Sequence, residues 1–158
     1  MATSSALPNT MVWLLHDTAR LCRERYDREF RARIPGMTQA RAAVIVHLAR
    51  HEGLTQVRLA ECLNVKPITL ARILDRLERL GWIERLPASG DRRAWSLHLT
   101  PAVRGLLAEI HAVDCTLANE ASAGIDAVSR AELIIMLTKL KENLTADHVG
   151  PVRRNDYV

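Results

Sequence analysis

Residues 54–101 read LTQVRLAECLNVKPITLARILDRLERLGWIERLPASGDRRAWSLHLTP, and this stretch decides the fold. A first short helix is expected over 55–63. Thr55 offers an N-cap oxygen to the unpaired N–H groups of its first turn, and Val57, Leu59, Ala60 and Leu63 give it an inward face. The turn falls on Leu63-Asn64-Val65. A sharp helix–helix turn needs a residue that tolerates positive φ, and after glycine Asn does so at least cost. A second helix opens at Lys66-Pro67, where proline is tolerated because its missing N–H would have no partner anyway. Ile73, Leu74, Leu77 and Leu80 repeat at helical spacing and must be buried, which leaves Thr69, Arg72 and Arg76 on the other side. Gly81 stops the helix.

That division of faces carries a functional expectation. An α-helix fits the major groove of B-DNA, and residues near its N-terminal end reach base edges. Thr69 and Arg72 stand at that end. Arg can contact guanine through two hydrogen bonds, and Thr can touch a thymine methyl or a phosphate. Pro67 and Ile68 fit either van der Waals contact with bases or a purely structural role. Arg76 fits a phosphate contact or ordinary ion pairing on its own helix. Residues 82–86 and 95–99 alternate as half-buried strands. The turn between them, Pro87-Ala88-Ser89-Gly90-Asp91, is followed by Arg92 and Arg93. Two arginines at a hairpin tip are placed to enter a minor groove, whose negative potential attracts guanidinium groups.

In this order of elements the chain resembles the MarR family of winged helix-turn-helix regulators. The residues that carry the resemblance are the Leu-Glu-x-x-Gly-x-Ile-x-Arg run from Leu77 to Arg85 and the Asp-Arg-Arg-Ala sequence from Asp91 to Ala94 with its following Leu99-Thr100. The flanks extend it to about residues 7–147. The resemblance implies an obligate homodimer on pseudo-palindromic double-stranded DNA, most often a repressor released by a small aromatic or phenolic ligand or by oxidation. It places the base-reading helix on residues 66–80, with Lys66, Pro67, Thr69, Arg72 and Arg76 toward DNA. It also places a minor-groove arginine at Arg93, beside Arg92, and a supporting acid at Asp91. The ligand pocket it implies lies where the flanking helices meet the winged lobe, within reach of Trp13, His16, Arg20 and His47. Arg20 and the histidines would suit an anionic or phenolic ligand, because a buried carboxylate needs a charged or hydrogen-bonding partner.

The rest of the chain fits a mainly helical protein with one small β-hairpin. The expected organisation is an N-terminal dimerisation helix in 1–34, the winged lobe in 35–100, C-terminal dimerisation helices in 101–147 and a tail from 148 to 158. Residues 55–104 hold nine Lys/Arg against five acids, so the whole formal surplus of +4 sits where the reading elements are. The first helix, over 9–33, carries Leu15, Thr18/Ala19, Cys22, Tyr26 and Phe30 at helical spacing. Pro35-Gly36 breaks it, and a second helix follows from Thr38 to residue 51 with Val44, Ile45, Leu48 and Ala49 inward. Thr100-Pro101 reads as the cap and first residue of a helix to about 123 bearing Val103, Leu106, Leu107, Ile110, Val113 and Leu117. Ser129-Arg130-Ala131-Glu132 reads as a capping box before a stripe of Leu133, Met136/Leu137, Leu140 and Leu144. Long apolar helix faces outside a small lobe call for a second subunit.

Other chemistry is weakly represented. Three scattered cysteines (Cys22, Cys62, Cys115) with no CxxC argue against a disulfide scaffold and for a reducing cytoplasm. In the resembled family some members sense peroxide through a cysteine near the start of the first helix; here Val12 stands at that position. His111 and Cys115, one turn apart, have metal-chelating spacing, which His47, His51 and Cys22 would have to complete. A metal- or thiol-sensing regulator of the same family is therefore one alternative, and a winged-helix protein-interaction module without direct DNA binding is another. No GxSxG, phosphate loop, HExxH or paired carboxylates are found, so neither an enzyme nor a cofactor is expected.

Overall fold

The computed structural model describes residues 10–88 and 91–146, and of these the side chains of 88, 91–94 and 146 fall outside the described set. The order of elements is α1 (Met11–Arg33), α2 (Gln39–Arg50), α3 (Gln56–Leu63), α4 (Pro67–Arg79), β1 (Ile83–Ala88), β2 (Asp91–Leu99), α5 (Val103–Ala121) and α6 (Ala127–Ala146). The chain divides into one unit ending at Ala118 and another beginning at Asn119.

In the first unit the core forms around α4. Leu70, Leu74 and Leu77 have no exposed surface and meet Ile45 and Leu48 of α2, Leu59 of α3 and Val113 of α5 in one cluster. Burying a leucine side chain contributes about 1.5–3 kcal/mol, so this cluster holds the helix-turn-helix together. Thr55 caps α3 by accepting from the Arg58 N–H at 3.4 Å, and Thr38 caps α2 by accepting from Arg41 N–H at 3.3 Å. Asn64 takes the left-handed conformation, φ 49° and ψ 47°, as the turn requires. Gly81 ends α4 at φ 69°, with open space around its α-carbon, so it is backbone conformation rather than crowding that calls for glycine there.

The hairpin pairs β1 with β2 antiparallel, Ile83 opposite Leu99 and Pro87 opposite Trp95, with a register shift between Pro87 and Ala88. Both strands run further toward the turn than residue alternation indicated. Chain before α3 adds a short third edge: Gly53 N–H donates to the Leu97 carbonyl at 2.9 Å, and Leu97 N–H donates to that of Leu54 at 2.9 Å.

Several sequence expectations are corrected in detail. Val57 is 63% exposed, and Ala49 is exposed as well; Leu70, absent from the expected inward set, is fully buried. Periodicity places a residue on a helix face, but the width of the buried stripe depends on what lies opposite. Helix α5 begins at Val103 rather than Pro101, because the Thr100 hydroxyl donates to the Gly81 carbonyl at 2.6 Å and tethers the hairpin instead of capping. In the second unit the cap of α6 is Asp126, not Ser129. Its carboxylate accepts from the N–H groups of Val128 at 2.9 Å and Ser129 at 3.0 Å. The Ser129 hydroxyl donates to its other oxygen at 2.6 Å, and these bonds hold the Asp126 carboxyl below its ordinary range.

Two helices carry apolar side chains in the open. Along α1 only Phe30 is buried, Leu15, Cys22 and Tyr26 are half-buried, and Thr18 and Ala19 are exposed. Met11, Val12, Trp13, Leu14 and Leu21 are exposed, as are Val128, Leu133, Ile134, Ile135, Met136, Leu137 and Leu144 of α6.

The turn at Asn64 gives a direct test. Asn64→Gly is expected to leave the thermal unfolding midpoint unchanged or slightly raised. Asn64→Ala should destabilise by about 1–2 kcal/mol, since a left-handed alanine carries that cost. Equal midpoints for the two variants would contradict the conformational account.

Candidate nucleic-acid interface and an apolar cavity

Because Leu70, Leu74 and Leu77 fix the rotation of α4, its opposite face is forced outward. Lys66, Pro67, Ile68, Thr69 and Arg72 are all exposed at the N-terminal half of the helix. The Lys66 side chain caps nothing, and neither Lys66 nor Arg72 has an acidic partner among the described residues. The positive end of the helix dipole lies at the same place. Arg76 is half-buried, with its guanidinium close to Gly36, so it is less available than Arg72.

The acids of α4 are neutralised from the hairpin. Arg85 of β1 donates to Asp75 at 2.8 Å and also to the Glu78 carboxylate. One arginine thereby covers both carboxylates on the flank of the exposed face and ties β1 to α4. In the sequence Arg85 stands out only as the last residue of the motif from Leu77 to Arg85. Its alternation with Ile83 on one strand face placed it toward α4, but no local signal identified its partners.

At the root of the hairpin, Ser96, His98 and Glu52 come together, a grouping sequence spacing gave no reason to expect. Ser96 Oγ donates to the Leu86 carbonyl at 3.1 Å and lies 3.0 Å from His98 Nε2. Glu52 accepts from Leu99 N–H at 2.9 Å and lies 3.9 Å from His98 Nδ1. The serine is buried and bonded to backbone, so the group fastens β2 to the chain after α2. Asp91, Arg92 and Arg93 belong to β2 by backbone, and their side chains lie outside the described residues.

A cavity of about 490 Å³ opens between α1, α2 and α5, lined on the apolar side by Phe30, Ala42, Ala43, Val46, Leu107 and Ile110. Its polar lining is Tyr26, Gln39, Arg50, His111 and Asp114. Tyr26 stacks on Phe30 with ring centroids 5.7 Å apart, and its hydroxyl donates to Asp114. Burial, then the bond to Asp114, push the Tyr26 hydroxyl well above its ordinary range, so it stays protonated and remains a donor.

None of Trp13, His16, Arg20 and His47 lines this cavity. Trp13 and His16 meet edge to face, centroids 5.9 Å apart, on the exposed part of α1. Arg20 pairs with Glu24 at 2.9 Å and with Asp17 at 3.5 Å. His47 is half-buried beside His51, ring centroids 5.0 Å apart. Its Nε2 is buried without a partner among the described residues, and burial followed by the charges of His51 and Arg50 lowers its pKa. His111 Nε2 lies 3.6 Å from Cys115 Sγ, and the described residues contain no group of three or more potential metal ligands. No described helix is long and apolar enough to cross a membrane.

Comparison with known proteins gives a family model, described as MarR family, that matches residues 36–94. The solved structure of transcriptional regulator PA3341 is 38% identical over 87% of this chain and 99% of that chain, with a TM-score of 0.72. Wild-type MarR from E. coli in its apo form is 26% identical over 83% of this chain and 96% of that one, with a TM-score of 0.74. A cysteine-to-serine mutant of E. coli MarR complexed with operator DNA is 27% identical over 82% and 92% of the two chains, with a TM-score of 0.73.

The arrangement around Arg85 has a measurable consequence. Arg85→Gln should weaken binding to duplex DNA roughly three- to tenfold, because two bare carboxylates would then face the phosphates. Adding Asp75→Asn and Glu78→Gln should restore most of the loss in a fluorescence anisotropy titration. A loss that the added substitutions leave untouched would show instead that Arg85 contacts DNA itself.

Proposed function

The chain belongs to the MarR family of winged helix-turn-helix, DNA-binding transcriptional regulators, and from this premise we propose that it works as a homodimeric repressor released from its operator by a small molecule. The observation that carries the reading is the exposed half of α4, with Lys66, Thr69 and Arg72 bare and unpaired by any acid among the described residues while Arg85 neutralises Asp75 and Glu78. Thr69 and Arg72 read base edges in the major groove, Lys66 holds phosphate, and Pro67 packs against the groove wall. Arg76 touches backbone only. Arg92 and Arg93 anchor in the flanking minor groove, with Asp91 orienting them.

A second copy of the chain accounts for the open apolar residues. Trp13 and Leu14 on α1, and Ile134, Ile135 and Leu144 on α6, are the kind of large side chains that an obligate interface covers. Two-fold symmetry then pairs two copies of α4 about one DNA turn apart, ~34 Å, and makes the operator an inverted repeat. A ligand relieves repression by binding one arrangement of the two winged lobes more tightly than the other, since only differential affinity shifts an equilibrium. The cavity between α1, α2 and α5 is its site.

The expected behaviour of variants follows. Arg72→Ala should lower affinity and relax discrimination at one base position by about 1–3 kcal/mol. Arg93→Ala should weaken binding to all sequences and reduce the slope of log affinity against log salt by about 0.9 per lost phosphate contact. Titration of both variants and the unmodified chain at several salt concentrations reads this out. Indifference to both substitutions, or salt-independent binding, would point to a protein-interaction module instead.

A further inference from the structure

The hairpin carries a large aromatic side chain in the open. Trp95 is 55% exposed. It stands opposite Pro87 in the antiparallel pair, and further inward Arg85 faces Leu97 and Ile83 faces Leu99. Alternate residues of a strand share one face, so these six side chains lie on the same side of the hairpin. That side is turned to α4. Ile83 and Leu97 join the cluster that holds Leu70, Leu74 and Leu77, and Arg85 reaches Asp75 and Glu78. Burial stops abruptly along it. Leu97 is closed off, whereas Trp95, one strand repeat nearer the turn, has left the core.

Pro87 is exposed as well, so the two residues form an apolar platform on the outer part of the hairpin. Neither belongs to the core cluster or packs at its margin, whereas Trp82 does. Cross-strand neighbours have β-carbons ~5 Å apart, and the fixed φ of proline stiffens the strand beneath the indole. The platform borders both DNA-contacting parts of the proposed function. Asp75, which Arg85 reaches, is one helical turn after Arg72. Arg93 is two residues nearer the tip than Trp95, ~7 Å of strand.

An arginine in a minor groove passes between two sugar–phosphate strands. A residue one strand repeat behind it is set back to the rim of the groove, which is made of deoxyribose and phosphate rather than base edges. An indole suits that surface in both its parts. Its flat apolar body covers the C–H face of a sugar, and its N–H, which only donates, meets a phosphate oxygen.

We infer that Trp95, backed by Pro87, is a DNA contact that packs on the deoxyribose–phosphate backbone bordering the groove entered by Arg93. The inference rests on the DNA-binding reading above and adds a neutral contact to its charged ones. A neutral group displaces no counterion, so it strengthens binding without adding salt dependence. It touches no base edge, so it strengthens binding to all sequences alike.

The test is a fluorescence anisotropy titration of the full-length chain, Trp95→Ala and Trp95→Phe with a labelled mixed-sequence duplex of about 30 base pairs at several salt concentrations. Trp95→Ala should bind about three- to tenfold more weakly, with the slope of log affinity against log salt unchanged, in contrast to Arg93→Ala. Trp95→Phe, which keeps a ring and loses the donor, should fall between. Thermal unfolding midpoints should stay the same, because Trp95 lies outside the core. Acrylamide quenching gives a second readout. Subtracting the emission of Trp95→Phe from that of the unmodified chain isolates Trp95 from Trp13 and Trp82, and saturating DNA should shield that component from the quencher. Equal affinity of Trp95→Ala and the unmodified chain would overturn the inference and leave the DNA-binding reading in place. So would a Trp95 component equally open to acrylamide with and without DNA. Weaker binding by Trp95→Ala with a lowered midpoint and no shielding would assign Trp95 to stiffening the hairpin alone, which also overturns it. No binding of the duplex by the unmodified chain would remove both readings.

Discussion

Helix α4 has to bury one face completely and leave the other bare, and most of the structure follows from that constraint. Leu70, Leu74 and Leu77 are closed off from solvent, each contributing about 1.5–3 kcal/mol through burial. Turning the helix by one residue, ~100°, would bring them into water and carry polar side chains into the core. The outward direction of Thr69 and Arg72 is therefore set by hydrocarbon on the far side of the helix and exists before any nucleic acid arrives. Fixing the rotation of the helix in advance removes a backbone ordering cost from binding.

Two ties transmit this rigidity to the hairpin. Arg85 joins β1 to two carboxylates of α4, and the bonds from Gly53, Leu54 and Glu52 fasten β2 to the chain leaving α2. The hairpin is thus tied both to α4 and to the chain leaving α2. Helix α2 is shared: Val44, Ile45 and Leu48 enter the core that holds α4, while Ala42, Ala43 and Val46 form a wall of the cavity. Under the proposed function, a ligand in this cavity acts on the helix whose other face supports α4. Packed interiors respond to such an insertion by moving as units, because they are too dense to absorb it locally.

Much of this was legible in the sequence, and unevenly so. Thr55, Asn64, Pro67 and Gly81 mark the ends of α3 and α4 because each answers a local demand of the backbone, and a single residue suffices to state it. Leu74 and Leu77 of α4 were readable from their spacing, while Leu70, equally buried, was not. The start of α5 was misread at Thr100, because a hydroxyl that can cap a helix can equally donate to a carbonyl nineteen residues away, and only the fold decides. The α6 cap was misplaced on Ser129 when Asp126, three residues earlier, offers the stronger acceptor. Cavity chemistry was hardest. Trp13, His16 and Arg20 stand on the exposed length of α1, away from this cavity. Tyr26 and Asp114, 88 residues apart, meet only through the packing of α1 on α5, and neither has a neighbour in sequence that hints at the other.

Selection of preferred sequences from a random pool of duplex DNA by the purified chain tests the central claim most directly, because it asks whether the bare face of α4 reads bases and whether two copies do so together. The account predicts enrichment of an inverted repeat whose half-sites are centred about 10 base pairs apart, with the strongest preferences at the bases facing Thr69 and Arg72. Recovery of unenriched sequence, or of a single unrepeated half-site, would contradict it.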